Sequence, residues 1–137
     1  MKILRIPAAD DRLEDINTLL EEELGSVDCP MKILMQIQLS VEEIFVNIAH
    51  YAYGEGSGEA ELTLVTAPGR FTMSFRDWGT PFDPLKKEDA DVTLGVEERK
   101  IGGLGIFLVK KSMDEVHYTH EDGTNLLTII KTWEYHR

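Results

Sequence analysis

Between Glu59 and Arg76 the chain alternates apolar and polar residues twice, with a turn between. Leu62, Leu64 and Thr66 fall on one face of the first run. Phe71, Met73 and Phe75 fall on one face of the second, with Thr72 and Ser74 opposite. Successive side chains of a strand point to opposite sides, so each run has one apolar face. Ala67-Pro68-Gly69-Arg70 places Pro and Gly where a type II turn wants them, which makes the pair an antiparallel hairpin. A hairpin with one apolar face needs a second layer to cover it.

The chain supplies that layer on both sides of the hairpin. Asp10 can cap a helix running to about Leu24, with Leu13, Ile16, Leu20 and Leu24 at helical spacing, and Gly25 ends it. Pro30 fits the first turn of a second helix carrying Ile33, Ile37, Val41, Ile44 and Ile48 in one stripe. That helix is expected to end near Tyr53, before the Gly54–Gly58 loop. Gly102 to about Met113 is expected as a glycine-led helix, and Lys2–Ile6 as a short strand. Glu115–His120 and Thr124–Trp133 make a last hairpin around Glu121-Asp122-Gly123. Residues 84–101 are polar without periodicity and are expected to form a mobile segment. The expected architecture is α+β: a two-layer α/β sandwich with a mainly antiparallel sheet and helices on one face, as one domain over residues 1–137.

With 137 residues the chain can bury one real core. Its 25 acidic against 14 basic residues give a net charge of -11, which disfavours nonspecific binding to nucleic acid or an anionic membrane. A single cysteine, Cys29, excludes an intrachain disulfide and reads as a small apolar residue near a helix start. No apolar run approaches the length of a membrane span, and no targeting segment opens the chain, so a cytoplasmic protein is the simplest expectation.

Three blocks carry potential chemistry. Glu43 and Asn47 lie one helical turn apart and project from one face. An amide oxygen suits Mg²⁺, and a carboxylate one turn away can take a proton from an attacking hydroxyl. The same pair also describes an ordinary solvated face of an amphipathic helix. Asp77, followed by Trp78 and Gly79, ends a strand. Its carboxylate can accept from the exocyclic amine of adenine while Gly79 lets backbone approach a flat ring, although an Asp that closes a strand in a turn is common. Gly102, Gly103 and Gly105 precede an apolar helix, whose N-terminal N–H groups can meet phosphate, and serve equally as a hinge. A dinucleotide fingerprint lacks its third glycine here, and no Gly-Lys-Ser/Thr ends the run as a P-loop would. His117 and His120 fall on opposite faces of a strand and make a poor metal pair; Trp78 and Trp133 are expected to pack.

In this order the blocks resemble the N, G1 and G2 boxes of the GHKL ATPase superfamily, and Gly123-Thr124 resembles its closing Gly-Thr. The resemblance spans about residues 1–133 and is nearest to the small anti-sigma-factor serine/threonine kinases. It implies the Bergerat fold, ATP and Mg²⁺ as cofactors, Glu43 as general base and Asn47 as metal ligand. It implies that Asp77, helped by Gly79 and Thr124, reads adenine, that Gly102, Gly103, Leu104 and Gly105 hold phosphates, and that residues 84–101 are an ATP lid. Arg99 and Lys100, just before the glycines, are candidates to neutralise phosphate charge. It further implies an antagonist protein phosphorylated on serine, a sequestered sigma factor, and a homodimer as one available assembly. A nucleotide switch that transfers nothing is the other reading. The chain departs from the family's His-Ala-Tyr after the N-box helix: here Tyr51-Ala52-Tyr53 follows His50. Some relatives use a basic residue of the first helix for partner contact; here Arg12 is the candidate for it, or Asn17 occupies that site instead.

Overall fold

The structure is a computed structural model that describes residues 1–54, 56–81 and 103–135, with only the backbone of 103–105. The expected lid, with Arg99, Lys100 and Gly102, lies outside the described residues. Five strands form one antiparallel sheet: β1 (Lys2–Pro7), β2 (Glu59–Ala67), β3 (Arg70–Asp77), β4 (Glu115–Glu121) and β5 (Thr124–Thr132), in the order β1-β2-β3-β5-β4. Among the described residues three α-helices, α1 (Leu13–Gly25), α2 (Met31–Asn47) and α3 (Gly103–Ser112), accompany the sheet.

The alternation of the hairpin sets which face is covered. Leu62, Leu64, Phe71, Met73 and Phe75 are buried and join one cluster with Ile16, Leu20 and Leu24 of α1, Ile37, Val41, Ile44 and Phe45 of α2, and Val109 of α3. The opposite face is polar in its middle, where Ser74 and Thr128, direct partners across β3 and β5, hydrogen-bond at 2.9 Å. Both turns follow their residues. Gly69 takes φ 78, and Asp122 and Gly123 take φ 52 and 75, the pair of positive angles that a two-residue hairpin turn needs.

Helix ends depart from the sequence expectation in two places. Asp10 does not cap α1: it lies in a 3-10 turn, Asp10–Arg12, with no side-chain cap. Its carboxylate instead accepts from His50 Nε2, at 2.7 and 3.0 Å. Gly25 does not stop α1 by a left-handed turn, because the helix includes it and the positive φ falls at Asp28, at 54°. Aspartate tolerates that region better than most residues, so no glycine is required. Pro30 stands at the N-cap of α2, one place before its first turn.

α2 does not run regularly to Tyr53. From Ile48 to Ala52 it widens into a π-helical turn. Such a turn shifts the hydrogen-bond register, and it is often found beside a functional site. Here it turns the Ala52 carbonyl outward to accept the Thr80 N–H at 2.8 Å, which ties the end of α2 to the segment after β3.

Candidate functional site

A cleft of about 250 Å³ opens where the end of α2 meets the ends of β3 and β5. Ile44 and Asn47 line it from α2, Ile48 from the π-helical turn, Phe75 and Asp77 from β3, Ile106 from α3, Tyr118 from β4, and Asn125 and Leu127 from β5. Tyr51, Ala52, Gly54, Thr80 and Pro81 complete it. Elements distant in sequence thus bring Asn47 and Asp77 into one concavity with largely apolar walls, the usual form of a small-molecule site.

Asp77 is the inner-face residue that follows Phe71, Met73 and Phe75 in the alternation, and it is only 5% exposed. Its cross-strand neighbours are Ala60 and Asn125. Ala60 is small and leaves room. Asn125 donates through Nδ2 to Asp77 Oδ1 at 2.9 Å and to the Thr80 carbonyl at 3.0 Å. The Gly79 N–H also donates to Asp77 Oδ1, at 2.9 Å. No described residue hydrogen-bonds Asp77 Oδ2, so one oxygen of this buried carboxylate is available to a ligand.

Gly79 is needed here for a reason the sequence did not disclose. A Cβ at this position would lie 2.1 Å from the Ala52 carbonyl oxygen. The close approach within the protein is to the π-helical turn. Tyr53 holds the same corner from the other side. Its hydroxyl donates to the Glu59 carbonyl and accepts from the Trp78 N–H at 3.0 Å, and its ring occupies the space a Cβ on Gly58 would need.

Thr124 does not line the cleft. Its hydroxyl donates to the Glu121 carbonyl at 2.9 Å and braces the β4–β5 turn. Asn125, one residue later, faces Asp77. Period-two alternation was the signal for this: Asn125, Leu127 and Ile129 share the buried face that Thr124 does not continue. Trp78 is 39% exposed and carries the Arg5 guanidinium over its ring at 4.4 Å, so it is not a core residue, whereas Trp133 packs partly buried against the core.

Asn47 and Glu43 stand one turn apart on α2. The Asn47 amide is half-buried in the cleft wall, and no described residue hydrogen-bonds it. An uncommitted amide oxygen of this kind fits Mg²⁺, a hard ion that takes few protein ligands and keeps waters. Glu43 is half-buried and lies outside the cleft lining. Burial first, and then the charge of the exposed Glu42, push its carboxyl above the ordinary range, which makes it a better proton acceptor. The backbone of α3 begins at Gly103, and its first turn delivers Ile106 to the cleft. His50 is engaged with Asp10, while Tyr51, 49% exposed, takes a place in the lining. No helix among the described residues is long and apolar enough to cross a membrane.

Comparison with known proteins places this fold. The family model for the histidine kinase-like ATPase domain matches residues 6–131. The serine-protein kinase RsbW of Bacillus thuringiensis (strain Al Hakam) is 24% identical over 128 residues, covering 90% of this chain and 80% of its own. The RsbW protein of Bacillus anthracis (strain CDC 684 / NRRL 3495) is 23% identical over the same length and coverage. Among solved structures, the RsbU and RsbW domains of a Mycobacterium tuberculosis protein superpose with a TM-score of 0.66 at 16% identity, over 96% of this chain and 32% of that one. The histidine kinase domain of an Erythrobacter litoralis blue-light-activated kinase gives a TM-score of 0.53 at 18% identity, over 93% of this chain and 61% of that one. The chain has the two-layer α/β sandwich of the GHKL ATPases and belongs to the histidine kinase-like ATPase family.

Proposed function

We propose that this protein binds ATP in the cleft and transfers the γ-phosphoryl group to a serine of a small antagonist protein, and that it also sequesters a sigma factor. The observation that carries the nucleotide reading is the convergence of Asp77 and Asn47 in one apolar cleft, each with a polar atom uncommitted to the described residues. The names of the RsbW relatives support the kinase reading.

In this reading Asp77 Oδ2 accepts from the exocyclic amine of the base, and the apolar walls around Ile44, Ile48 and Leu127 cover its ring. Asn47 would hold Mg²⁺, which when bound neutralises phosphate charge. The N-terminal N–H groups of α3, beginning at Gly103, face phosphate. Glu43 takes the proton of the acceptor hydroxyl as its oxygen bonds to the γ-phosphorus. The bond to the bridging oxygen breaks, and ADP leaves. Catalysis here is mostly positioning and electrostatics. The net charge of -11 suits a partner with a basic surface.

The position of Glu43 outside the lining favours one rival. In that reading the protein holds nucleotide as a switch and regulates partners by binding alone. Calorimetric titration with ATP, with and without Mg²⁺, tests the site, with Asn47→Ala as control. Magnesium-dependent binding that the variant loses is the expected result, and no binding at millimolar ATP overturns the nucleotide reading. Transfer of radiolabelled phosphate to a serine-bearing antagonist separates the kinase from the switch. Light scattering of the purified chain reads the homodimer implied by the resemblance.

A further inference from the structure

The cleft contains a polar chain beyond the residues expected to read the base. Tyr118 and Asn125 both line it, from the two strands of the last hairpin. Asn125 pairs directly with Asp77 across β3 and β5, and Tyr118 sits diagonally to Asn125 on the same face, since its own partner is Leu127. The Tyr118 hydroxyl donates to Asn125 Oδ1. The Asn125 amide in turn donates to Asp77 Oδ1 at 2.9 Å and to the Thr80 carbonyl at 3.0 Å.

An amide side chain is nearly symmetric in shape but opposite in polarity at its two ends. Rotated by half a turn, Asn125 would present its oxygen to the Asp77 carboxylate and to the Thr80 carbonyl, three acceptors with no proton among them. Those two acceptors fix the amide end that faces Asp77, and the Tyr118 hydroxyl, donating to Oδ1 on the other side, braces the amide in that orientation. Tyr118 therefore holds Asn125 in place against Asp77, and Asn125 sets which oxygen of Asp77 remains for the ligand.

We propose that Tyr118 and Asn125 are positioning residues that set base selectivity by presenting Asp77 as an acceptor to an amino-bearing purine. The inference rests on the nucleotide reading above. A base with an amine at the six position completes the site. One with a carbonyl there faces the Asp77 carboxylate acceptor to acceptor, and a buried polar mismatch is costly.

The test titrates the full chain with ATP and with inosine triphosphate, which differ in that group, for the native protein, Tyr118→Phe and Asn125→Leu. The native protein is expected to favour ATP by about tenfold or more, from the loss of one hydrogen bond to a buried charged group. Tyr118→Phe removes one oxygen and keeps the ring; it is expected to lower the ATP-to-inosine ratio by about threefold or more. Asn125→Leu is expected to bring the ratio close to one, with inosine triphosphate affinity retained. A purely structural role would weaken both nucleotides alike and leave the ratio unchanged, which overturns the proposal. If Asn125→Leu does not fold, the ratio in Tyr118→Phe decides alone. A native protein that binds both nucleotides equally overturns the inference and leaves the nucleotide reading standing. A native protein that binds neither overturns both.

Discussion

Asp77 enters the cleft with Oδ1 already accepting from the Asn125 amide and the Gly79 N–H. Asn47 enters it from α2 with no side-chain hydrogen bond to a described residue. The sheet end is therefore preorganised, its polar groups oriented by neighbours before a ligand arrives. The helix end is held by the packing of Ile44, Phe45 and Ile48 and by the Ala52 carbonyl that accepts the Thr80 N–H, while the Asn47 amide has no hydrogen-bond partner among the described residues. The contrast matches the tasks assigned to each end. Recognition of a flat base rewards a fixed acceptor, because a loose one pays ordering entropy on binding. Work on a hydrated metal and a moving phosphoryl group requires groups not already saturated.

Substitution of the helix end should change chemistry most and stability least. Glu43→Gln is expected to lower the rate of phosphoryl transfer by about 10²–10⁴-fold, the usual contribution of a general base, with ATP affinity little changed. Single-turnover transfer of radiolabelled phosphate measures this, and an unchanged rate would remove Glu43 as base.

The pH dependence follows from the same residue. Burial and then Glu42 raise the pKa of Glu43, so its protonated form persists above the ordinary carboxylate range. The base must be deprotonated to act. Transfer should therefore rise with pH through that raised value, and should fall on acidification sooner than an ordinary carboxylate would allow. A pH–rate profile checks this, and the limb should vanish in Glu43→Gln. The sign for stability is opposite. Between the ordinary and raised values the native state binds more protons than the unfolded state, so this group's contribution to stability is lost as pH rises.

At the sheet end the expected effects are on folding. Gly79→Ala places a methyl 2.1 Å from the Ala52 carbonyl oxygen, and backbone cannot yield as a flexible side chain would. A loss of about 1–3 kcal/mol is expected, the range for overpacking. Gly25→Ala is the matched control: its Cβ meets nothing within 4 Å, and the residue is helical. A gain of about 0.4–1 kcal/mol is expected there. Urea unfolding of both proteins reads the difference, and a Gly79→Ala protein as stable as the native one would mean that the π-helical turn is not held against β3.

The layers and the hairpins were legible in the sequence because period two and period 3.6 are local patterns. Phe71, Met73 and Phe75 announce their shared face without reference to anything else. The site was legible only in part. Glu43, Asn47 and Asp77 could be picked out by spacing, but the partner of Asp77 depends on the register between β3 and β5, which no local pattern contains. Thr124 stood in a recognisable Gly-Thr pair, whereas Asn125 acquires its meaning only from lying opposite Asp77. Asp10 looked like a cap, yet His50, forty residues away, competes for its carboxylate. The π-helical turn was hidden too, since Ile48–Ala52 carries no proline or glycine to mark the change of register.

The smallest expected effect sharpens the contrast most. Asn47→Ala removes an amide with no hydrogen bond to a described residue, so stability should change by no more than about 0.5 kcal/mol, as for a substitution that breaks no named interaction. Asn125→Ala, by comparison, leaves Asp77 and Thr80 short of a donor inside a largely buried site, and should cost about 1–3 kcal/mol. Thermal unfolding of the two variants without nucleotide makes the comparison directly. Addition of MgATP should then raise the midpoint of the native protein by mass action and leave that of Asn47→Ala nearly where it was. If Asn47→Ala proved as destabilising as Asn125→Ala, the Asn47 amide would be held by polar contacts of its own, and the division between a fixed reader and an open metal end would fail.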